Sequence, residues 1–179
     1  FIANSPLASR DYVVDILETI RLQWRYFMTL LRVRLLIEGW ASFWHYAALD
    51  NLWDLGLIDS NEVLEMRAYH DTMVTTHRKT EFNDYAVGAA LYRHLKEHYD
   101  KNGPKGAGLA KILEVREFYS DGMAVRNFFS DEFIREMELF EWEDVKDSNG
   151  KKKKIITSTY PNRFRRKYGN ELAMRGVPV

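Results

Sequence analysis

The sequence has no cysteine, no uninterrupted apolar run of membrane-spanning length and no excess of either charge. The absence of cysteine excludes disulfide bonds and thiolate metal ligands within these 179 residues. Lys+Arg and Asp+Glu are 26 each, so the net charge does not indicate nucleic acid or an acidic membrane surface as a partner. Arg32, Arg34, Glu38 and His45 interrupt the longest apolar stretch, which argues against a membrane span. Since the N-terminus also lacks a secretory signal, we expect a cytoplasmic protein.

The composition and the apolar spacing predict a mainly helical protein. Apolar residues make up 46% and aromatic residues 14%, which is typical of a globular chain. We expect a multi-helix body over residues 1–139 and a small α+β element, a β-hairpin plus a basic helix, over residues 140–179. The segment from about Tyr26 to Leu55 is apolar on most faces between Leu35 and Leu49. This pattern predicts a central helix that is covered by neighbours on every side.

Capping residues indicate where the helices begin and end. Ser9 begins a first helix that runs to about Trp24, and Gly56 ends the central helix as a left-handed C-cap. Asp59 and Glu62 form a capping-box pattern at the start of the next helix. Further helices are predicted over residues 83–102, 109–119, 122–129 and 131–138.

The C-terminal region has a different character. Two strand-like segments flank Asn149-Gly150, which is a strong hairpin signal. Lys151–Lys154 and the arginines after Pro161 make the region basic, so nucleic-acid binding is one alternative function. The opposing strand is acidic at Glu141 and Glu143, however, and cross-strand charge pairing explains the hairpin without nucleic acid.

Glu38 and His45 are the polar residues that most need an explanation, because they are seven residues apart in a segment otherwise free of charge. On a helix they point the same way. A buried carboxylate needs a metal ion, a cation or several donors, so the two residues form either a structural polar pair or part of a metal site. Their Cα atoms are roughly 10.5 Å apart on a helix, which is long for two ligands of one ion. If the two residues belong to a metal site, Glu38 acts as ligand or base, and His45 either ligates the ion or orients another ligand.

Other histidines and two tryptophans also lie at helical spacing. His70 and His77 are also seven residues apart, and either can supply a missing ligand. His94–His98 reads H-x-x-E-H, the inverted zincin pattern, but it lies among charged residues near a helix end and is more typical of a solvated face. Trp40 and Trp44, at helical spacing, are most simply core residues.

Residues 38–45 resemble the signature N-E-G-W-A-S-[FY]-W-H of the stage V sporulation protein R (SpoVR) family. Other segments are similar to family elements that occur in the same order, at residues 26–28, 83–88, 111–117 and 139–140. The sequence also departs from the family pattern at two places. Aliphatic residues occupy positions just before Glu38 where the family has polar ones, and Asp84 replaces a family proline.

The resemblance implies a bacterial protein linked to sporulation, spore cortex formation and a PrkA-like kinase system. It also implies a zinc-dependent hydrolase of amide or peptide bonds, with Glu38 as a ligand and a metal-bound water as nucleophile. Family members have a preceding region with an H-x-x-x-H-like element. Because this chain starts at Phe1 without Met, we expect that N-terminal region to be missing and to supply the remaining ligands.

On this interpretation Glu38 and His45 are catalytic, and both bind the metal together with His70. The residues expected to support the site are aromatic or polar neighbours, Trp40, Trp44, Asn83 and Tyr85. One alternative is a non-catalytic scaffold or regulatory partner, in which Glu38 and His45 fix the packing of the central helix. The second alternative is the nucleic-acid-binding module based on the basic C-terminal region.

Overall fold

The computed structural model describes residues 11–74, 82–137, 139, 142–146, 152–156 and 168–170. The chain divides into two compact units, residues 1–33 and 34–179. The helices and strands of the described residues are α1 (Asp11–Leu31), α2 (Arg34–Asp54), α3 (Ser60–Val74), α4 (Asp84–Asn102), α5 (Ala107–Phe118), α6 (Asp121–Phe128), α7 (Asp131–Glu136), β1 (Trp142–Lys146) and β2 (Lys152–Ile156). The predicted mainly helical class is confirmed. Within the described residues, no helix combines the length and apolar composition that a membrane crossing requires.

The break between the first two helices differs from the prediction. α1 continues past Trp24, and α2 begins only at Arg34. The cause is a tertiary cap, because the carboxylate of Asp121 in α6 accepts hydrogen bonds from the N–H groups of Leu35 and Leu36 at 3.0 and 3.1 Å. These N–H groups belong to the first turn of α2, which has no intrahelical acceptors. A cap supplied from so far along the chain leaves no local sequence signal.

In the second unit α2 packs against α3, α4, α5 and α6, as predicted for a central helix, and its main partner is α4. The α4 residues Val87, Leu91 and Tyr92 have no exposed surface. The second half of α2 is open to solvent, since Trp44 is 38% exposed and His45 is also exposed. The prediction that α2 is covered on every side is therefore wrong. Apolar composition alone does not tell which faces of a helix are covered, because much of any protein surface is apolar.

Two facing glycines let α2 pack closely on α4. A Cβ atom at Gly39 would overlap the backbone of Gly88, and a Cβ atom at Gly88 would overlap the backbone of α2. Glycine inside a helix costs about 1 kcal/mol relative to alanine, so its presence at both positions reflects this close approach. The approach also seats Trp40 against Tyr92, with ring centroids 5.2 Å apart.

α2 and α3 form a helical hairpin, and both capping signals predicted for its turn are confirmed. Gly56 has φ of +68°, and the N–H groups of Gly56 and Leu57 bond back to carbonyls in the last turn of α2, each at 2.9 Å. Asp59 accepts from the Glu62 N–H at 2.9 Å, while the Glu62 carboxylate accepts from the Asp59 N–H at 2.8 Å. The turn therefore runs α3 back along the second half of α2.

The remaining helices begin close to where the sequence predicts them. Asn83 caps α4 by accepting from the N–H of Tyr85 at 3.0 Å. Ser130 caps α7 by accepting from the N–H of Phe133 at 3.0 Å. α5 begins at Ala107, slightly earlier than expected. The side chains of α4 to α7 complete the core around α4.

The C-terminal region contains the two strands, which pair antiparallel. Trp142 stands opposite Ile156 in the register, and Asp144 stands opposite Lys154. The predicted Asn149-Gly150 turn lies outside the described residues, as does most of the predicted last helix, of which residues 168–170 are described. The domain boundary between residues 139 and 140 stays a prediction.

Candidate functional site

The first half of α2 places Glu38 beside the start of α4. The Glu38 carboxylate accepts a hydrogen bond from the Tyr85 hydroxyl, and this bond, together with burial, raises the pKa of Tyr85. Nearby, Nε of Arg34 lies 3.5 Å from Oδ2 of the buried Asp84. Glu38 thus has a donor within the protein and lies close to a cation–carboxylate pair.

The second half of α2 brings His45 against His70 of α3. Their rings are stacked, with centroids 4.0 Å apart and planes inclined by 12°. The Nε2 atom of His70 is buried and has no hydrogen-bond partner among the described residues. Burial, and then the neighbouring His45, lower the pKa of His70 from its ordinary 6.5, an effect that Asp71 opposes. This environment favours a neutral imidazole at neutral pH.

Tyr46 joins the histidine pair to a polar seam between α2 and α3. Its ring meets His70 edge-on, with centroids 4.7 Å apart, and its hydroxyl donates to Oδ1 of Asp71. Burial and then this hydrogen bond raise the pKa of Tyr46 to about 12, so the hydroxyl stays protonated. Further along the seam, Arg67 forms an ion pair with Asp50. The seam holds Tyr46 and the Asp71 carboxylate next to His70.

Glu38 and His45 have different partners, although both lie on α2. Glu38 contacts Tyr85 of α4, whereas His45 contacts His70 of α3. Of the two further histidines that the sequence offered as ligands, His70 is the one beside His45, and His77 lies outside the described residues. A shared role for Glu38 and His45 at one ion stays a prediction.

The predicted supporting residues all have defined contacts. Trp40 lies 5.2 Å from Tyr92 and 5.4 Å from Trp44, measured between ring centroids. Asn83 caps α4, and Tyr85 donates to the Glu38 carboxylate. These residues hold α2 against α4 and orient Glu38.

The metal-binding potential of the site is partial. Among the described residues, no group of three or more His, Asp or Glu side chains is placed to hold one metal ion. His45 and His70 supply two imidazoles, whereas a catalytic zinc usually has three protein ligands. In the H-x-x-E-H segment, His94 packs on Phe133 at 5.4 Å, and His98 is exposed. The histidine pair on α2 and α3 is therefore the better candidate.

A groove of about 660 Å³ lies beside the histidine pair, between α2, α3 and α4. Tyr46 and Asp71, which border His70, also line the groove. Alanines of α4 form an apolar wall, and Arg67 and Arg93 contribute positive charge. A concave site of this volume, mostly apolar with a few polar groups, is typical of small-molecule binding.

Comparison with known proteins identifies the family. A family model described as SpoVR like protein matches residues 1–176. The chain belongs to the SpoVR family. Uncharacterized protein YcgB of Escherichia coli (strain K12) is 26% identical over 152 residues, which cover 76% of this chain. The chain spans about 30% of the length of YcgB, and no solved structure matches it.

Some residues of the SpoVR signature in this chain are buried in the core, and others are exposed to solvent. Gly39 belongs to the close α2–α4 contact and Ser42 is buried, whereas His45 is exposed and stacks on His70 of α3. The aliphatic departures Leu35 and Leu36 are almost completely buried. They fill the core, and neither residue lines the groove.

Sequence reasoning did not single out the polar residues that border the groove of this SpoVR chain. These residues are Tyr46, Asp50, Arg67, Asp71 and Arg93. A signal was present for the neighbouring His45–His70 contact, because His45 lies as far before the turn at Leu57-Ile58 as His70 lies after it. In a helical hairpin, residues at equal distances from the turn face each other.

Proposed function

We propose that this SpoVR chain forms part of a zinc-dependent hydrolase of amide or peptide bonds, with His45 and His70 as metal ligands and Glu38 as a proton acceptor. The proposal is carried by the buried Nε2 of His70, which has no partner among the described residues although its ring stacks on the exposed His45. Buried polar atoms in native proteins are nearly always satisfied. Other side-chain atoms that are buried without a partner among the described residues are Ser42 Oγ, Arg67 Nε and Tyr92 Oη. The His70 nitrogen is the one whose ring stacks on a second imidazole, and this supports His70 as a metal ligand.

The donor chemistry of the pair fits zinc in kind, though not in number. Burial favours the neutral form of His70, which is the form that binds a metal. A third protein ligand is not found among the described residues. Zinc, when bound, supplies a Lewis acid and a water of lowered pKa.

The chain's own residues position the reacting groups. Tyr46 packs edge-on against His70 and donates to Asp71, which restrains the imidazole from one side. The Tyr85 hydroxyl donates to Glu38 and so restrains this carboxylate in one orientation, as a proton acceptor requires. The groove beside Tyr46 gives a substrate access to this part of the molecule.

The test is a metal analysis of the intact protein, purified without chelators, together with its His45→Ala, His70→Ala and His98→Ala variants. We expect about one zinc per protein in the unmodified form and a loss of about tenfold or more in affinity in the first two variants. His98→Ala is the matched control, because His98 is exposed on α4 and distant from the pair in sequence. Absence of zinc from the unmodified protein, or full retention in His70→Ala, would contradict the proposal.

Hydrolysis is tested separately, by the release of free amines from a mixed peptide pool. Glu38→Gln should lower the rate by about a hundredfold or more, the usual contribution of a general base. Its thermal midpoint should change little, because Gln still accepts the bond from Tyr85. If Glu38→Gln lowers the thermal midpoint while zinc content and hydrolysis stay the same, Glu38 belongs to a non-catalytic scaffold instead.

The cellular setting is a proposal that rests on the family resemblance. It comprises a role in sporulation and cortex formation, a link to a PrkA-like kinase, a cytoplasmic location and completion of the site by an N-terminal region of the same protein. These statements are tested by locating the intact protein in the cell and by its co-purification with the kinase.

A further inference from the structure

The charged side chains that line the groove between α2, α3 and α4 differ in whether they have partners. Arg67 forms an ion pair with Asp50, and the Asp71 carboxylate accepts a hydrogen bond from the Tyr46 hydroxyl. Arg93 is exposed at the wall of the groove and forms no ion pair or hydrogen bond among the described residues. Its guanidinium is close enough to Tyr46 to lower the pKa of that hydroxyl, against the larger effects that raise it. Arg93 is therefore a cation on the groove that is available to a ligand.

The apolar part of the groove includes small and branched aliphatic side chains. Ala86, Ala89 and Ala90 precede Arg93 on α4 by about one to two turns, and Val74 of α3 also lines the groove. Small side chains on one wall leave room for the side chain of a bound molecule. An aliphatic group of a few carbons would contact these methyl groups, and burying each of its CH2 groups contributes about 0.8 kcal/mol.

We propose that this groove binds the carboxylate end of a peptide or of an N-acylated amino acid, with Arg93 as the anchor of the carboxylate. Guanidinium binds carboxylate in a bidentate geometry, which makes Arg the preferred residue for this recognition. The apolar side chain of the terminal residue would lie on the alanines of α4. Binding of this ligand does not require a metal ion. The proposal for the groove and the proposal for zinc can therefore be contradicted independently.

The other charges of the groove favour a peptide end over a simple fatty acid. Asp50 and Asp71 line the same groove and are acceptors, so they can receive the amide N–H that precedes a terminal carboxylate. A fatty acid has no N–H donor next to its carboxylate, so it would bind through Arg93 without a hydrogen bond to these acceptors. The combination of one cation and nearby acceptors thus matches an amide followed by a carboxylate.

The experiment is an NMR titration of the intact protein with three probes, which are N-acetyl-L-leucine, its primary amide and octanoate. The acid and the amide have nearly the same shape, but the end group of the amide is neutral and has an NH2 donor in place of one carboxylate oxygen. We expect the acid to bind about tenfold tighter than the amide, as the loss of one charge-assisted contact predicts. Octanoate should bind more weakly than N-acetyl-L-leucine.

Arg93→Gln is the decisive variant, and Arg116→Gln is its control. Arg93 and Arg116 are both exposed on helices of the second unit, but Arg116 does not line the groove. Arg93→Gln should remove the preference for the acid over the amide, whereas Arg116→Gln should leave it unchanged. Equal binding of acid and amide to the unmodified protein would overturn the proposal, and this comparison does not depend on any variant folding. Octanoate binding as tightly as the acid would overturn the assignment to a peptide end.

Discussion

At the scale of single residues, Asp121 decides where the signature helix begins. Its carboxylate is 1% exposed and accepts hydrogen bonds from the N–H groups of Leu35 and Leu36, and from the Tyr168 hydroxyl at 3.1 Å. A carboxylate at a helix N-terminus is also favoured by the helix dipole. Asp121 therefore fixes the start of α2, and with it the position of Glu38 one turn later.

Asp121→Ala should lower the free energy of unfolding by on the order of 3 kcal/mol, because the change leaves buried donors without an acceptor. Asp121→Asn retains one acceptor oxygen and should cost less. Chemical denaturation of both variants measures the effect, with the exposed Glu132→Ala in α7 as the control. If Asp121→Ala resembles this control, the capping role assigned to Asp121 is wrong.

The individual site residues could be recognised from the sequence, but their pairing could not. Glu38 and His45 stand out because they are polar in an apolar segment. The contact of His45 with His70 depends on the turn at Gly56, and the contact of Glu38 with Tyr85 depends on the Gly39–Gly88 approach. Both contacts form only when the helices pack together, whereas the sequence patterns of these residues are local.

At the scale of elements, glycines and helix caps determine where the helices begin and end and how closely they pack. The turn between α2 and α3 was predictable, because Gly56 and the Asp59–Glu62 box act within a few residues of chain. The start of α2 was not, since its cap comes from α6. The exposure of Trp44 and His45 on α2 was also missed, because burial depends on which helices surround each face.

Gly39→Ala should lower the free energy of unfolding by about 1–3 kcal/mol, as overpacking in a core does. The added methyl group would meet the backbone of Gly88, which cannot move like a side chain. Ala41→Val is the matched control, because it adds methyl groups at an exposed position of the same helix. Thermal or urea unfolding compares the two, and equal small effects would show that α2 and α4 are not in close backbone contact.

The joint between α4 and α5 should depend on acid pH through Asp100. A hydrogen bond from Lys96 and another from the Gly108 N–H lower the pKa of Asp100 below its ordinary 3.8. A lowered pKa means that the stabilisation is present above pH 3.8 and is lost as the pH falls through the folded-state pKa.

Urea unfolding at pH 5 and pH 3 therefore distinguishes Asp100→Asn from the unmodified protein. The unmodified protein should be the more stable of the two at pH 5, and the difference should shrink at pH 3. A difference that is the same at both pH values would mean that the charge of Asp100 does not support the start of α5.

At the scale of the whole molecule, the second unit is a helical scaffold in which α2 places Glu38 beside Tyr85 of α4 and His45 beside His70 of α3. Membership of the SpoVR family was predictable, because the signature at residues 38–45 is specific and a family model matches residues 1–176. The groove was not predictable, because its walls come from three helices and its polar residues carry no motif. The proposed zinc ligands His45 and His70 lie beside Tyr46 and Asp71, which line the proposed peptide-end groove, as a peptide hydrolase would require.

The most direct test of the zinc site is X-ray absorption at the zinc edge, measured on the intact protein and on its His45→Ala and His70→Ala variants. We predict scattering from about two or more imidazoles per zinc in the unmodified protein and one fewer in each variant. A zinc spectrum without imidazole scattering, or one that neither substitution changes, would contradict the assignment of His45 and His70 as metal ligands.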